Sequence, residues 1–174
     1  MCRGVIYTVW PKPQVQFDTT ISYLLYPIAF SFTATGPAAG SDVLVDAFKR
    51  YRGIIFQHTA RRVVQLPVVS FATISTAIVQ VNSADETLSL ETNQAYNLTI
   101  GVTITIEAET VFGALNGLES LSQLVDRGAF VNGTAIFDYP RYQVRLSVLC
   151  ILCSAHAYFT LPNSHRSYYS SALP

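Results

Sequence analysis

The chain has 174 residues, of which 50% are hydrophobic and 13% are charged, and its formal net charge at pH 7 is zero. This length suffices for one domain with a sizeable core, and not for an additional (β/α)8 barrel of about 250 residues. Balanced charge provides no basic surface for nucleic acid or for an anionic membrane. No apolar run reaches the roughly 20 residues of a membrane-spanning helix. We therefore expect neither a nucleic-acid partner nor a membrane span.

Cysteine and histidine usage indicates neither a disulfide framework nor a metal site. The chain has three cysteines and three histidines. Cys150 and Cys153 have the CxxC spacing, but no second Cys or His pair accompanies them. His-Glu-x-x-His, Gly-x-Gly-x-x-Gly and Walker motifs are absent from the sequence. The sequence thus predicts no metal and no other cofactor.

The first half of the chain predicts an extended entry, a strand region and a helix. Residues 8–14 contain two prolines, which is typical of an edge strand or an extended segment. Residues 21–35 are rich in Tyr, Phe, Ile and Thr, and they alternate as a strand does over 30–34. Ser41 is a good N-cap for a helix that ends near residues 53–57. Its apolar face is formed by Leu44, Phe48, Tyr51 and Ile55.

The second half predicts several antiparallel strands, a helix and a final strand. Residues 68–81 are a long β-prone run, and further strands are expected at 87–90, 96–100, 102–108 and 135–138. Thr110 can cap the second helix. Gly113 and Gly117 lie inside that helix, where each glycine costs up to about 1 kcal/mol relative to Ala, which indicates close approach of a neighbouring element. The predicted fold class is α+β: a single layer sandwich with a mixed or antiparallel sheet and two helices on one face.

Three stretches of sequence carry a family resemblance: the Trp-Pro-Lys-Pro opening at 10–13, the strand-then-helix block at 102–123, and the Asp-Tyr-Pro-Arg-Tyr run at 138–142. Together they resemble the N-terminal domain of the β-N-acetylhexosaminidases, glycoside hydrolase family 20. The resemblance implies a zincin-like shape and a hexosaminidase-like N-terminal domain over residues 7–143. It ends after Arg145, where family members enter the first strand of the catalytic barrel. Residues 144–174 are predicted to be a divergent, poorly ordered tail.

The resemblance also implies a function. Family members release terminal, non-reducing N-acetylhexosamine residues from glycans, so such a glycan is the implied substrate. Since the barrel is missing from these 174 residues, we expect no catalytic residue in the chain and no activity of the chain alone. The resemblance does not decide whether the chain is itself an enzyme.

An alternative reading is a stand-alone module that associates with a full-length hexosaminidase subunit. The apolar surface that would otherwise face the barrel would then mediate the contact. Leu118, Tyr139 and Tyr142 are the candidate residues for that surface.

Arg145 matches the arginine with which the family grips the sugar hydroxyls through several N–H donors. Without the family residues that follow it, we expect Arg145 to be non-functional here, and Arg141 to be structural. Asp85 and Glu86 are adjacent, as are the acid and the orienting carboxylate of the family. However, they follow Asn-Ser-Ala at 82–84 rather than glycines, so a solvated turn is the preferred reading.

Two triplets match the N-glycosylation pattern: Asn97-Leu98-Thr99 and Asn132-Gly133-Thr134. The family is secretory, in the lysosome, the vacuole or outside the cell. The first residues of the chain show no signal peptide, because no sustained apolar stretch follows Arg3. The sequence predicts Asn97 and Asn132 as candidate glycosylation sites and leaves the location of the chain open.

Overall fold

The computed structural model describes residues 9–58 and 72–140 of the chain. These residues form seven strands and two helices, which confirms the predicted α+β class. The elements in chain order are β1 (Val15–Leu25), β2 (Ser31–Thr35), α1 (Asp42–Phe56), β3 (Ala72–Ile74), β4 (Thr76–Val81), β5 (Tyr96–Ile100), β6 (Ile104–Ala108), α2 (Val111–Leu124) and β7 (Phe130–Asp138).

The seven strands form one mixed sheet with the order β2-β4-β6-β5-β7-β1-β3. Strands β2, β4 and β6 run parallel to one another. Strand β5 pairs antiparallel with both β6 and β7, and β7 pairs antiparallel with β1. The short strand β3 closes the other end of the sheet, parallel to β1. Strands β5 and β6 form a hairpin, with the antiparallel pairing that the sequence predicts for this half of the chain.

Both helices begin at the predicted caps. The Ser41 hydroxyl accepts a hydrogen bond from the Leu44 backbone N–H, and the Thr110 hydroxyl accepts one from Gly113 N–H, each at 3.3 Å. Each bond satisfies an N–H that has no partner within its helix. Helix α1 ends at Phe56, within the predicted range.

The two helices pack on the same side of the sheet, which we call the helix-facing side. Helix α2 packs on β4, β5 and β6, and α1 packs on α2 and β2. Phe48 of α1 stacks on Phe32 of β2 with ring centroids 5.2 Å apart. The strand residues that point to this side are almost fully buried: Ala77, Val79, Val81, Tyr96, Leu98, Ile100, Ile104, Ile106 and Ala108. The core of the domain therefore lies between the sheet and the helix pair.

The glycines of α2 allow this close packing, as their position in the sequence predicts. A Cβ on Gly117 would lie 2.7 Å from Ile106 Cγ2 and 3.2 Å from Tyr96 Cδ2. A Cβ on Gly113 would collide with the backbone carbonyl oxygen of Ala95. The hydroxyls of Tyr96 and Ser120 form a short hydrogen bond in the same contact.

Several predicted strand boundaries are wrong. Strand β1 begins at Val15 and β7 at Phe130, well before the predicted starts, and the long β-prone run is broken at Ser75 between β3 and β4. Residues 9–14 contain no strand.

The strand predicted at residues 87–90 does not form. Asp85, Ser89 and Thr92 side chains there accept hydrogen bonds from backbone N–H groups of Thr87, Glu91 and Ser89, respectively. Such local bonds compete with pairing to another strand. The whole segment between β4 and β5 is accordingly a loop.

Candidate functional site

The Asp85–Glu86 pair lies in the loop between β4 and β5, and both residues are exposed. Asp85 Oδ1 accepts a hydrogen bond from Thr87 N–H at 2.8 Å. This bond lowers the pKa of the Asp85 carboxyl below its usual value because it favours the charged form. The pair therefore belongs to a solvated, side-chain-capped turn, as the sequence predicts. Asp85 acts there as the cap of the turn.

Arg145, the predicted substrate-binding arginine, lies outside the described residues, as do Arg141 and Tyr142. The roles expected for these residues stay predictions. Among residues 9–58 and 72–140, no group of three or more His, Cys, Asp or Glu side chains is arranged to hold a metal ion. Neither described helix is long and apolar enough to cross a membrane.

The two glycosylation triplets differ in their surroundings. Asn97 and Thr99 are exposed on β5, on the side of the sheet away from the helices, which we call the open side. Asn132 is half-buried on β7, and its Oδ1 accepts a hydrogen bond from the Ser22 hydroxyl at 2.7 Å. Thr134, the third residue of that triplet, is almost fully buried.

The open side carries an exposed apolar cluster near the end of β7, which we call the open-side patch: Val15, Phe17, Phe137 and Tyr139. Val15 of β1 lies opposite Phe137 of β7 in the strand register. The rings of Phe137 and Tyr139 have centroids 5.5 Å apart. Phe17 is 70% exposed and Phe137 43%. These side chains contribute little to the core.

A hydrogen-bonded chain of side chains joins the two helices to the entry segment. The Tyr51 hydroxyl of α1 donates to Glu119 Oε2 of α2 at 3.0 Å. Gln123 Nε2 donates to Glu119 Oε1 at 3.2 Å and to the Trp10 carbonyl at 2.9 Å, while Gln123 Oε1 accepts from Trp10 N–H at 2.7 Å. Burial of the ring, together with the nearby Glu119 carboxylate, raises the pKa of Tyr51 to about 12.

One side chain lies where the sequence interpretation did not place it. Leu118, a candidate for an exposed docking surface, is fully buried, because it points from α2 into the core. That assignment is wrong. The Trp10 side chain is 73% exposed, and its backbone N–H and carbonyl are held by Gln123. The Gln123–Trp10 contact spans 113 positions of sequence, and no local pattern signals it.

A shallow depression of about 430 Å³ lies beside the C-terminal half of α1 and is lined by Pro27, Lys49, Arg52, Gly53 and Phe56. The Arg52 guanidinium donates to the carbonyl oxygens of Phe30 and Pro27, at 3.1 and 2.9 Å. Lys49 pairs with Asp46 at 3.1 Å. Both cations of the depression thus have intramolecular partners.

Comparison with known proteins identifies the family. Residues 9–124 match the family model described as beta-acetyl hexosaminidase like, the N-terminal domain of glycoside hydrolase family 20. This chain belongs to that family. The matched range begins in the segment before β1 and extends to the last residue of α2, so it includes both helices and strands β1 to β6.

Relatives and solved structures agree with this assignment. The chain is 35% identical to the rat beta-hexosaminidase subunit alpha over 159 residues, covering 79% of this chain and 28% of that protein. It is 32% identical to beta-hexosaminidase 1 of Arabidopsis thaliana over 148 residues, covering 77% and 27%. The chain therefore spans little more than a quarter of these relatives.

A chitobiase of Flavobacterium johnsoniae is similar in structure to 74% of this chain, with a TM-score of 0.57 and 19% identity, and the match covers 20% of the chitobiase chain. At this identity the match supports the hexosaminidase-like fold.

Proposed function

We propose that this chain is the supporting N-terminal domain of a β-N-acetylhexosaminidase, an enzyme that releases terminal, non-reducing N-acetylhexosamine from glycans. We propose further that the 174 residues alone do not catalyse this hydrolysis. The observation that carries the proposal is the family match over residues 9–124, in a chain that spans little more than a quarter of its hexosaminidase relatives.

The packing of the domain supports this role. The glycine contacts of α2 and the Tyr96–Ser120 hydrogen bond hold α2 to the sheet, and the Tyr51–Glu119 hydrogen bond joins the two helices. The Asp85–Glu86 pair lies in an exposed turn, where no buried pocket surrounds its carboxylates. The domain thus offers a rigid body for a neighbouring catalytic domain to pack against.

A chimera tests the supporting role. In the rat beta-hexosaminidase subunit alpha, expressed behind a secretion leader, the segment that corresponds to residues 9–140 of this chain is replaced by those residues. We expect the chimera to be secreted and to hydrolyse a chromogenic N-acetylglucosaminide. A matched chimera with Gly113→Val should lose both properties, because the added side chain collides with the Ala95 carbonyl. If the chimera is no more active than the subunit with the segment deleted, the supporting role is wrong.

A further inference from the structure

The strand register places the Asn97 triplet directly beside an exposed aromatic ring. Asn97 of β5 lies opposite Phe137 of β7, and Phe137 lies opposite Val15 of β1. Residues directly opposite in an antiparallel pair have Cβ atoms about 4.5–5.5 Å apart. All three side chains therefore lie in one row across the open side. Asn97 is at the edge of the open-side patch.

Asn97 is also placed so that the folded domain can carry a glycan. Its side chain is exposed, while its backbone is fixed between β6 and β7 in the centre of the sheet. Glu107, its neighbour on β6, is exposed as well. A sugar on the Asn97 amide nitrogen would thus leave the sheet toward solvent. Strand pairing would fix the position of its first residue relative to Phe137.

We propose that Asn97 carries an N-linked glycan whose first N-acetylglucosamine packs against the ring of Phe137. One face of a pyranose ring presents only C–H bonds, whose hydrogens carry a partial positive charge. The face of an aromatic ring carries the negative part of its quadrupole, so the two faces attract each other and also exclude water. Phe137 is 43% exposed, and its ring is tilted by 47° relative to the ring of Tyr139, with centroids 5.5 Å apart.

Asn132 provides an internal contrast. Its neighbour in the register is Ser22, whose hydroxyl donates to Asn132 Oδ1. An N-acetylglucosamine on Asn132 has no exposed aromatic ring directly opposite. A glycan on Asn97 should stabilise the fold through Phe137, and a glycan on Asn132 should give no such Phe137-dependent effect.

The test uses the full 174-residue chain, expressed behind a cleavable secretion leader in a host that adds high-mannose glycans. An Asn132→Gln variant leaves Asn97 as the acceptor, and an Asn97→Gln variant leaves Asn132. An endoglycosidase then trims each glycan to one N-acetylglucosamine, and mass spectrometry measures occupancy. Melting temperatures are compared with those of the double variant, which has neither triplet, and each measurement is repeated with Phe137→Ala.

We expect occupancy at Asn97 and a rise in melting temperature of about 2–4 °C from the single sugar at that position. With Phe137→Ala the rise should fall to about zero, since the two changes act on one contact. A sugar at Asn132 should give the same small effect with or without Phe137. An unoccupied Asn97, or a rise that Phe137→Ala leaves unchanged, overturns the proposal. Either result leaves the supporting role of the domain untouched.

A second variant and a direct measurement control for the possibility that Phe137→Ala disturbs folding. Phe137→Leu keeps an apolar side chain and removes the aromatic face, so it should lose the stabilisation as well. In the parent protein, NMR should show nuclear Overhauser effects between the N-acetylglucosamine and the Phe137 ring protons. Their absence from a fully occupied sample also overturns the proposal.

Discussion

The two sides of the sheet are built under different constraints. On the helix-facing side, successive inward residues of β4, β5 and β6 are buried almost completely, and α2 approaches so closely that two of its positions have room only for glycine. On the open side, the same strands present Asn97, Thr99 and Glu107 to solvent. Successive side chains of each strand point to opposite sides of the sheet. The size of a side chain is therefore restricted on the helix-facing side, whereas polar and charged side chains are accommodated on the open side.

The difference between the two sides of the sheet predicts which substitutions lower the free energy of unfolding most. A buried side chain loses its contacts and leaves a cavity when it is truncated, whereas an exposed one gives up only a small area. Three residues of the helix-facing core, Leu118, Gly113 and Tyr51, can each be compared with a matched position at the surface.

Leu118→Ala should have the largest effect, because Leu118 is fully buried between α2 and the sheet. We expect the free energy of unfolding to fall by about 3 kcal/mol, as for other buried leucines. Phe17→Ala, on the open side, should cost less than about 1 kcal/mol. Urea denaturation of both variants measures the difference. Equal losses would mean that the sheet does not separate the two sides as described.

Gly113→Ala should lower the free energy of unfolding by about 2 kcal/mol. The added Cβ would collide with the backbone carbonyl of Ala95, and rotation of a side chain cannot relieve that clash. Gly53→Ala, in α1, is the matched control. A Cβ at Gly53 meets no atom within 4 Å. There the higher helix propensity of Ala should raise the free energy of unfolding by about 0.5–1 kcal/mol. Thermal unfolding of the pair should therefore show shifts of opposite sign. A stabilised Gly113→Ala protein would contradict the close packing of α2.

Tyr51→Phe should lower the free energy of unfolding by about 1 kcal/mol at neutral pH, because it removes the hydrogen bond to Glu119. The folded-state pKa of Tyr51, about 12, lies above the ordinary value of 10.0. Its contribution to stability is thus complete below pH 10 and is lost as the pH rises from 10 to about 12. Denaturation at a series of alkaline pH values should show a shallower decline in Tyr51→Phe than in the parent protein. Tyr26→Phe, at an exposed site, should lower the free energy of unfolding at neutral pH by less than Tyr51→Phe does.

Local features of the fold are predictable from the sequence, and long-range features are not. Ser41 and Thr110 were identified as helix caps because the capping bond joins residues three positions apart. The order of the strands depends on pairings between distant segments, such as β1 with β7, and no local pattern specifies them. The strand expected at 87–90 fails for a local reason, since side chains there bond to nearby backbone amides.

The candidate sites show the same limit. The sequence identifies Asn97 as a glycosylation candidate, but only the register of β5 with β7 places Phe137 beside it. Leu118 is expected at an exposed surface that would face the barrel, but it points from α2 into the core. In the structure none of the residues of α2 is fully exposed. Periodicity alone cannot show how many neighbours surround a helix.

The proposed absence of activity is tested most directly by an assay of the purified 174-residue chain with a chromogenic N-acetylglucosaminide. We expect no hydrolysis above buffer at any concentration of the chain, for the parent protein and for Glu86→Gln alike. Hydrolysis that scales with the concentration of the parent chain and disappears in Glu86→Gln would contradict it. Such a result would mean that the exposed pair in the β4–β5 loop is a catalytic site.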